Sequence, residues 1–458
     1  METKIFGLWI IEVFFILNTI ESINRTYPYQ IIGKYQEAKG SIFKKKFNST
    51  NSIRSNPKIP YNLIIYHIYV SWQLKNFIVD ENQKFFMNVK FLECISCRKR
   101  YSKKEMHFRC DCGSSLEIVY DYNKIKRKVS WEKFRSRKFN HWRYREMFPI
   151  TSDKNIITLN EGGMPLIKSR YFSKIMNLDI FFKLESLNPT GSFKDRGTTV
   201  EISKALEFNV NKVFCASTGN MGASVSAYSS LAGIKANIFV PRGTTKAKLR
   251  QIEIYGGGIR KINGDYTKAI QATIRAAGNK GYLMGDYPFR GEGEKSISYE
   301  LFDQLQGIDY IITPIGNGTL LHSTWKGSAE LKEIRLLKNM PRMIGIQAEG
   351  CSTVVASYKE NRNYIRKVIP NTRASAIACG MPSDGVKALN AIRKSKGMAE
   401  TVSDKEMEKS KMLLARKEGI YSELSGAATL AGLLKLKNKI PGNSRVVLII
   451  TGHGLKDS

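Results

Sequence analysis

From Asp179 onward, short apolar runs alternate with stretches in which apolar residues recur at helical spacing. This alternation is typical of parallel strands joined by crossover helices, and it predicts an α/β fold. The first part of the pattern predicts two successive units. Their strands lie at 213–216, 236–240, 259–262 and 281–284, and their helices at 222–232, 248–255 and 266–277.

Three further apolar runs are short enough for buried strands, and each is followed by glycine or a polar residue. They cover 310–315, 344–347 and 446–450. Because ligands of open α/β sheets bind outside the carboxyl ends of the strands, we expect the functional site at these strand ends.

The first 86 residues do not follow this pattern. The run 5–20 is apolar but is interrupted by Glu12 and is shorter than a full membrane span, so it is read either as a targeting or anchoring segment or as an artefact of the assigned start. We expect an extension at 1–86 and a start at Met87. A cysteine-bearing segment at 87–122 and a catalytic region at 123–458 follow, with a smaller inserted subdomain at about 205–300.

Charge adds little to this picture. The chain has 73 Lys and Arg against 40 Asp and Glu, a formal charge of +33. Such an excess favours anionic partners. The basic residues are scattered, however, and no nucleic-acid-binding module is recognisable, so no nucleic-acid partner is expected. No membrane partner is expected either if the extension is an artefact, which predicts a cytoplasmic protein. A targeted or anchored protein is the alternative.

Four of the seven cysteines form the pattern C-x2-C-x12-C-x-C, at Cys94, Cys97, Cys110 and Cys112. This spacing is close to that of a zinc ribbon, although the second pair is one residue shorter than the usual knuckle. Zinc held there would be structural, since four thiolates leave no open position for a catalytic water. A cluster without metal is the alternative.

The segment 187–197 (LNPTGSFKDRG) is rich in turn residues and places Lys194 at a predicted helix start. Positive amide dipoles and the nearby Arg196 would disfavour the protonated amine and leave it free to form a Schiff base. Taken alone, an ordinary solvated lysine explains this segment equally well.

Three other segments accompany it. Asn220 lies in a small-residue turn between a strand and a helix, where it could bond a phenolate oxygen or simply cap the helix. The loop 316–319 (GNGT) follows an apolar strand, and its amides at a helix start suit a phosphate. The segment 451–457 (TGHGLKD) follows the last apolar run.

In this order the segments resemble the threonine synthases, a family of fold-type II pyridoxal-phosphate enzymes. The resemblance runs from about Cys94 to the end of the chain. The supporting motifs are WRY at 142–144, EGGMPL at 161–166, the lysine segment, RGEGEK at 290–295, QAEG at 347–350 and TGHGLKD at 451–457.

The resemblance implies two three-layer α/β/α domains with the cofactor in the cleft between them, plus the zinc-ribbon-like piece. Lys194 would bind pyridoxal 5'-phosphate covalently and move protons, and Asn220 would bond its 3-hydroxyl. Thr451 would face the pyridine nitrogen, and Arg290 would grip a substrate phosphate. The cofactor phosphate would be held by Gly316, Asn317, Gly318, Thr319 and Leu320.

A hydroxyl at the pyridine nitrogen makes the ring a weaker electron sink than a carboxylate would, which favours elimination and replacement over transamination. We therefore expect a lyase that converts O-phospho-L-homoserine and water to L-threonine and phosphate, acting as a homodimer by analogy with the family. Met221 and the pair Met284–Gly285 depart from the family pattern, so a threonine or serine ammonia-lyase is the alternative. A non-catalytic basic protein on the same scaffold is a more distant one.

Overall fold

Three β-sheets organise the residues that the structure, a computed structural model, describes: 88–217, 219–278 and 281–457. The predicted extension at 1–86 and the predicted start at Met87 lie outside these residues. The strands are β1 (Val89–Cys94), β2 (Arg100–Tyr101), β3 (Leu116–Tyr120), β4 (Leu166–Lys168), β5 (Asp179–Lys183), β6 (Lys212–Ala216), β7 (Lys235–Pro241), β8 (Gly258–Ile262), β9 (Tyr282–Met284), β10 (Tyr310–Pro314), β11 (Arg342–Ala348), β12 (Met398–Val402) and β13 (Arg445–Ile449).

Helices connect and cover the strands. They are α1 (Tyr122–Lys126), α2 (Trp131–Arg135), α3 (Tyr171–Met176), α4 (Lys194–Glu207), α5 (Asn220–Leu231), α6 (Lys246–Ile254), α7 (Tyr266–Ala277), α8 (Pro288–Glu294), α9 (Ser296–Gln304), α10 (Thr319–Glu333), α11 (Thr353–Lys359), α12 (Gly385–Lys394), α13 (Asp404–Glu418) and α14 (Leu424–Leu436). In the part of the chain that is described, none of them combines the length and apolarity needed to cross a membrane.

The largest sheet has six strands in the order β12-β11-β10-β13-β5-β4. All neighbouring pairs are parallel except β4 with β5. A second sheet has four parallel strands in the order β8-β7-β6-β9, and its strands come from residues 212–284. The predicted α/β class with parallel strands is confirmed. The strands and helices read from the apolar pattern are present, with ends that differ by at most two residues.

The central strands are apolar on both faces because both faces of the large sheet are covered. Successive residues of a strand point to opposite faces. Accordingly, Ile311 and Val447 belong to one buried cluster, which includes Leu321 of α10, while Ile312 and Leu448 belong to the other. The continuous apolar runs in the sequence are therefore the signature of a doubly covered parallel sheet.

The predicted site residues follow the carboxyl ends of four strands. Lys194 comes after β5, Asn220 after β6, the loop 316–320 after β10 and Thr451 after β13. Strands β5, β10 and β13 are parallel strands of the large sheet, so their carboxyl ends lie at one edge and bring distant segments together. Asn220 is supplied by the second sheet, to which β6 belongs.

A buried cluster of charges fixes the base of the helix that begins at Lys194. Arg196 donates to both carboxylate oxygens of Glu185 at 2.6 and 2.8 Å and to both of Glu300 at 2.7 and 2.8 Å. Lys183 donates to Glu300 at 2.8 Å, and all four side chains are fully buried. Desolvation alone would raise the pKa of Glu300, but Arg196 and Lys183 hold it well below its usual range. The carboxylate is therefore ionised in the folded protein.

We expect Glu300→Gln to lower the free energy of unfolding by about 3 kcal/mol, because two buried cations lose a shared counter-charge. Chemical denaturation followed by circular dichroism measures this loss. Glu333→Gln, which removes an exposed carboxylate from α10, serves as the control. Equal stability of the two variants would contradict the assigned role of Glu300.

Candidate active site

Lys194 is the first residue of α4, as predicted. The turn before it is held by Asp195, whose carboxylate accepts hydrogen bonds from the backbone N–H and the hydroxyl of Thr190 at 2.7 and 2.6 Å. Gly191 in this turn has φ +82°, a conformation that favours glycine. The lysine side chain retains 19% of its exposure and reaches a cavity at the carboxyl edge of the large sheet.

One cavity is lined by all the residues that the sequence assigns to the cofactor. They are Lys194, Asn220, Gly316, Asn317, Gly318, Thr319, Leu320 and Thr451. The structure therefore brings together residues up to 257 positions apart (451 minus 194), although the role of each remains a prediction.

Two of these residues present buried polar atoms with no partner among the described residues. Asn220 Oδ1 and Thr451 Oγ1 are both in this state. The amide of Asn220 is held from the other side by Glu423, to whose two carboxylate oxygens its Nδ2 donates at 3.1 and 2.9 Å. Burial raises the pKa of Glu423. Unpartnered buried polar atoms are costly, so their presence in the wall of a cavity indicates a polar ligand.

The loop that begins at Gly316 is tied down by two buried carboxylates. Asp286 accepts from Asn317 Nδ2 at 2.5 Å and from the Thr319 hydroxyl at 2.8 Å. Asp384 lies 2.9 Å from the same hydroxyl through its second oxygen. Gly318 has φ +94°, and a Cβ there would lie 2.7 Å from the Asp384 carbonyl oxygen. The loop therefore requires glycine at this position.

The side chains of the loop bond these carboxylates. The backbone N–H groups of the loop therefore remain able to bind a ligand. The first N–H groups of a helix have no acceptor within the helix, and α10 begins at Thr319. A helix start of this kind binds phosphate. Together with an amine at Lys194 and unpartnered polar atoms at Asn220 and Thr451, these groups match what pyridoxal phosphate offers. The residues present fit the cofactor.

Arg290 lies elsewhere. Its guanidinium is fully buried behind α4, where it forms an ion pair with Glu201 and donates to the carbonyl oxygens of Gly285 at 3.2 Å and Lys194 at 3.3 Å. It does not line the cavity. Its predicted grip on a substrate phosphate stays a prediction that this geometry does not support, because the guanidinium is enclosed and does not face the cavity.

The sequence suggested that Arg196 lies near the Lys194 amine, but among the described residues the charged group closest to this amine is Glu294. Arg196 is engaged by its own carboxylates, whereas Glu294 Oε1 lies 3.6 Å from Lys194 Nζ. Glu294 is fully buried, and neither of its carboxylate oxygens has a hydrogen-bond partner among the described residues. Burial raises the pKa of Glu294 to about 7, against the opposing effect of Lys194 and Arg290. The charged groups that influence Glu294 are Lys194, Arg290, Asp286, Asp384 and Glu201.

Several residues of this region were not found from the sequence. Lys248 lines the cavity, donates to the Ser375 hydroxyl at 2.8 Å and forms an ion pair with Asp457 at 3.3 Å. Glu423 begins the turn before a buried helix, and Cys379 donates to Asn317 Oδ1 at 2.8 Å. Glu294 stands inside the motif at 290–295, but nothing in the sequence distinguished it from the other residues of that motif. Each owes its position to packing between segments distant in sequence.

The predicted metal ligands also come together. The sulfur atoms of Cys94, Cys97, Cys110 and Cys112 all lie within 4.8 Å of one another. Burial raises the pKa of the Cys94 thiol, but hydrogen bonds from the backbone N–H groups of Cys97 and Ser96 lower it to about 6. A thiolate is the form that binds metal, so the cluster could hold a metal ion.

Comparison with known proteins agrees with this geometry. Residues 157–452 match the family model described as pyridoxal-phosphate dependent enzyme. The threonine synthase of Methanocaldococcus jannaschii is 42% identical over 373 residues, which cover 80% of this chain and 92% of that protein. The threonine synthase of Methanosarcina acetivorans is 39% identical over 377 residues, with the same two coverages.

Solved structures with the same fold are more distant in sequence. A serine racemase from maize superimposes with a TM-score of 0.57 at 23% identity, over 64% of this chain and 88% of that chain. An L-serine ammonia-lyase from Rhizomucor miehei gives a TM-score of 0.57 at 23% identity, over 63% of this chain and 93% of that chain. These two likenesses show the fold.

We expect Glu294→Gln to lower the pH at which the visible absorbance of bound pyridoxal phosphate changes, by about 1 pH unit. Above pH 7 the wild-type carboxyl is largely ionised and favours a protonated nitrogen at Lys194, and the amide removes that charge. A spectrophotometric pH titration measures the midpoint. Glu294→Asp retains a carboxyl and Glu333→Gln removes a remote one. If all four proteins have the same midpoint, Glu294 does not influence the lysine.

Proposed function

We infer the function from one premise: the chain belongs to the pyridoxal-phosphate-dependent enzymes and, within them, to the threonine synthases. On this basis it is a lyase that converts O-phospho-L-homoserine and water to L-threonine and phosphate. The observation that carries the assignment to this site is the single cavity that unites Lys194, Asn220, the loop 316–320 and Thr451.

Lys194 would hold the cofactor, Asn220 would bond its 3-hydroxyl, and Thr451 would face its pyridine nitrogen. The loop 316–320 would bind its phosphate at the start of α10. When bound, the cofactor withdraws electrons from the α carbon of the substrate, which makes the neighbouring C–H bonds acidic. A hydroxyl at Thr451 leaves that withdrawal weaker than a carboxylate would, which suits elimination and addition.

The proton transfers fall to Lys194. Its amine takes and returns protons at the α and β carbons of the substrate while phosphate leaves the γ carbon and water adds at the β carbon. Glu294 stands 3.6 Å from this amine, and burial raises its pKa to about 7, so its charge changes near neutral pH. We assign it to the control of the amine's protonation rather than to direct contact with the substrate.

The phosphate of the substrate needs a cation that faces the cavity. Among the described residues that line it, the cationic side chains are Lys194 and Lys248. Lys248 is 2% exposed and its amine already lies among polar groups, Ser375 and Asp457. Arg290 is enclosed behind α4 and does not line the cavity. Of Arg290 and Lys248, Lys248 is therefore the better placed to bind the substrate phosphate.

Zinc is the metal that we assign to the cysteine cluster. Four thiolates select zinc or iron–sulfur chemistry, and zinc is bound tetrahedrally at about 2.3 Å, which places ligand sulfurs about 3.8 Å apart. The Cys94–Cys112 and Cys97–Cys110 sulfur pairs lie at 3.5 and 3.4 Å.

The family resemblance also supports a cytoplasmic homodimer.

The assay that tests the function combines two products. Purified protein supplied with pyridoxal phosphate should be yellow, and it should release phosphate and form L-threonine from O-phospho-L-homoserine in equal amounts. Lys194→Ala should lose at least about 1,000-fold in turnover, because proton transfer alone contributes that order. Lys246→Ala, which removes an exposed lysine from the start of α6, controls for loss of a surface charge. Formation of 2-oxobutyrate from threonine, without phosphate release, would assign the chain to the ammonia-lyases instead.

We expect Lys248→Met to raise the KM for O-phospho-L-homoserine by about 10- to 100-fold, the effect of losing a hydrogen bond from a charged group. Cofactor affinity should remain unchanged, since this lysine is assigned to the substrate. Steady-state kinetics measures the KM. Lys246→Met, on the same helix, is the matched control for the loss of a positive charge. An unchanged KM would exclude Lys248 from phosphate binding.

A further inference from the structure

The cysteine-bearing segment lies directly against the elements that hold the cofactor loop. Strand β3 is bonded to α10, whose Lys326 donates to Glu117 Oε2 at 2.9 Å and to the Ile118 carbonyl at 3.1 Å. Lys387 of α12 donates to the Leu116 carbonyl at 3.0 Å. The metal-binding segment is therefore joined to the helix whose first turn forms the phosphate site.

Arg109, the residue before the metal ligand Cys110, makes the most direct connection. Its guanidinium donates to the carbonyl oxygen of Asp286 at 3.2 Å and to the hydroxyl of Ser115 at 2.5 Å. It also lies over the ring of Tyr287, 5.4 Å from the ring centre. One side chain of the metal knuckle thus bonds the backbone of a residue that ties down the loop.

Ser115 provides a second connection. Its hydroxyl lies 2.9 Å from Asp384 Oδ1 and 3.1 Å from the Ser383 carbonyl oxygen. Asp384 contacts the Thr319 hydroxyl through its other oxygen, and its backbone N–H donates to the Asn317 carbonyl at 2.9 Å. The cysteine-bearing segment therefore bonds both residues that restrain the loop, Asp286 at its backbone carbonyl and Asp384 at its carboxylate.

We propose that the cysteine-bearing segment positions the phosphate loop of the cofactor site, and that metal binding by its four cysteines sets the affinity for pyridoxal phosphate. The connection runs from the metal knuckle through Arg109 and Ser115 to Asp286 and Asp384, and from these to Asn317 and Thr319. The proposal rests on the cofactor assignment but goes beyond it, since four thiolates need not influence a site whose residues all lie at 194 and beyond.

The physical reason is the restraint of Arg109. Without metal, the four sulfur atoms lose the ion that joins them and the knuckle that carries Arg109 loses its anchor, because a four-ligand site of this kind is ordered by the ion it binds. Movement of Arg109 releases the Asp286 carbonyl. The loop then binds phosphate only after being ordered, which lowers affinity by the cost of that ordering.

The test measures the Kd of pyridoxal phosphate by absorbance titration of the full-length, cofactor-free protein, with metal content determined on the same samples. We expect zinc removal by a chelator to raise Kd about 10-fold or more, and re-addition of zinc to restore it. Arg109→Ala should raise Kd similarly while retaining metal. Arg100→Ala, an exposed arginine of the same sheet that pairs with Glu93, should have the wild-type Kd.

Combining metal removal with Arg109→Ala tests whether the two changes lower cofactor affinity through the same contact. If the metal acts through Arg109, chelation of Arg109→Ala should cause little further loss of affinity. Ser115→Ala, which removes a single hydroxyl, gives an independent reading if Arg109→Ala is too unstable to purify. An unchanged Kd after complete metal removal, or equal and independent losses from chelation and from Arg109→Ala, would overturn the proposal. Wild-type protein that fails to bind the cofactor at all would instead contradict the proposed function.

Discussion

The buried pairing of Arg196 with Glu185 and Glu300 is the contact on which the site most depends. Arg196 lies two residues after Lys194 on the same helix, so fixing its guanidinium fixes the direction in which the helix begins. Four donor–acceptor distances of 2.6–2.8 Å, made in a fully buried environment, allow few alternative positions. Burying these charges carries a desolvation cost, so the cluster is better explained by the geometry it specifies than by a gain in stability.

The same arrangement recurs at the phosphate loop. There Asp286 and Asp384 bond the side chains of Asn317 and Thr319, as the carboxylates around Arg196 restrain the lysine helix. In both places a helix begins at the cavity, and buried polar groups on its far side hold it. The face toward the cavity then presents the Lys194 amine and the first N–H groups of α10.

Much of this could be read from the sequence. Apolar runs at strand length identified the parallel sheets, and glycine- or asparagine-bearing turns after them identified the loops that line the cavity. What the sequence could not give was the direction of charged side chains. Arg290 belongs to the motif at 290–295 and Lys248 to no motif, yet Arg290 points behind α4 toward Glu201 while Lys248 lines the cavity. That difference depends on helix packing, since a shift of one or two positions along a helix changes the face on which a residue lies.

Both the cofactor and the proposed substrate are anionic, yet the acidic residues Asp286 and Glu423 line the wall of the cavity. Burial reduces the repulsion that these acids would exert. Desolvation raises the pKa of Glu423, of Glu294 to about 7 and of Asp195 to about 6, so these carboxyls are less charged than their number suggests. Asp286 has two side-chain donors bonded to it. Lys194 and Lys248 stand in the same wall and offset the charge of the acids that line it. The buried acids can then restrain the loop and the asparagine without repelling the phosphates, provided that they remain enclosed.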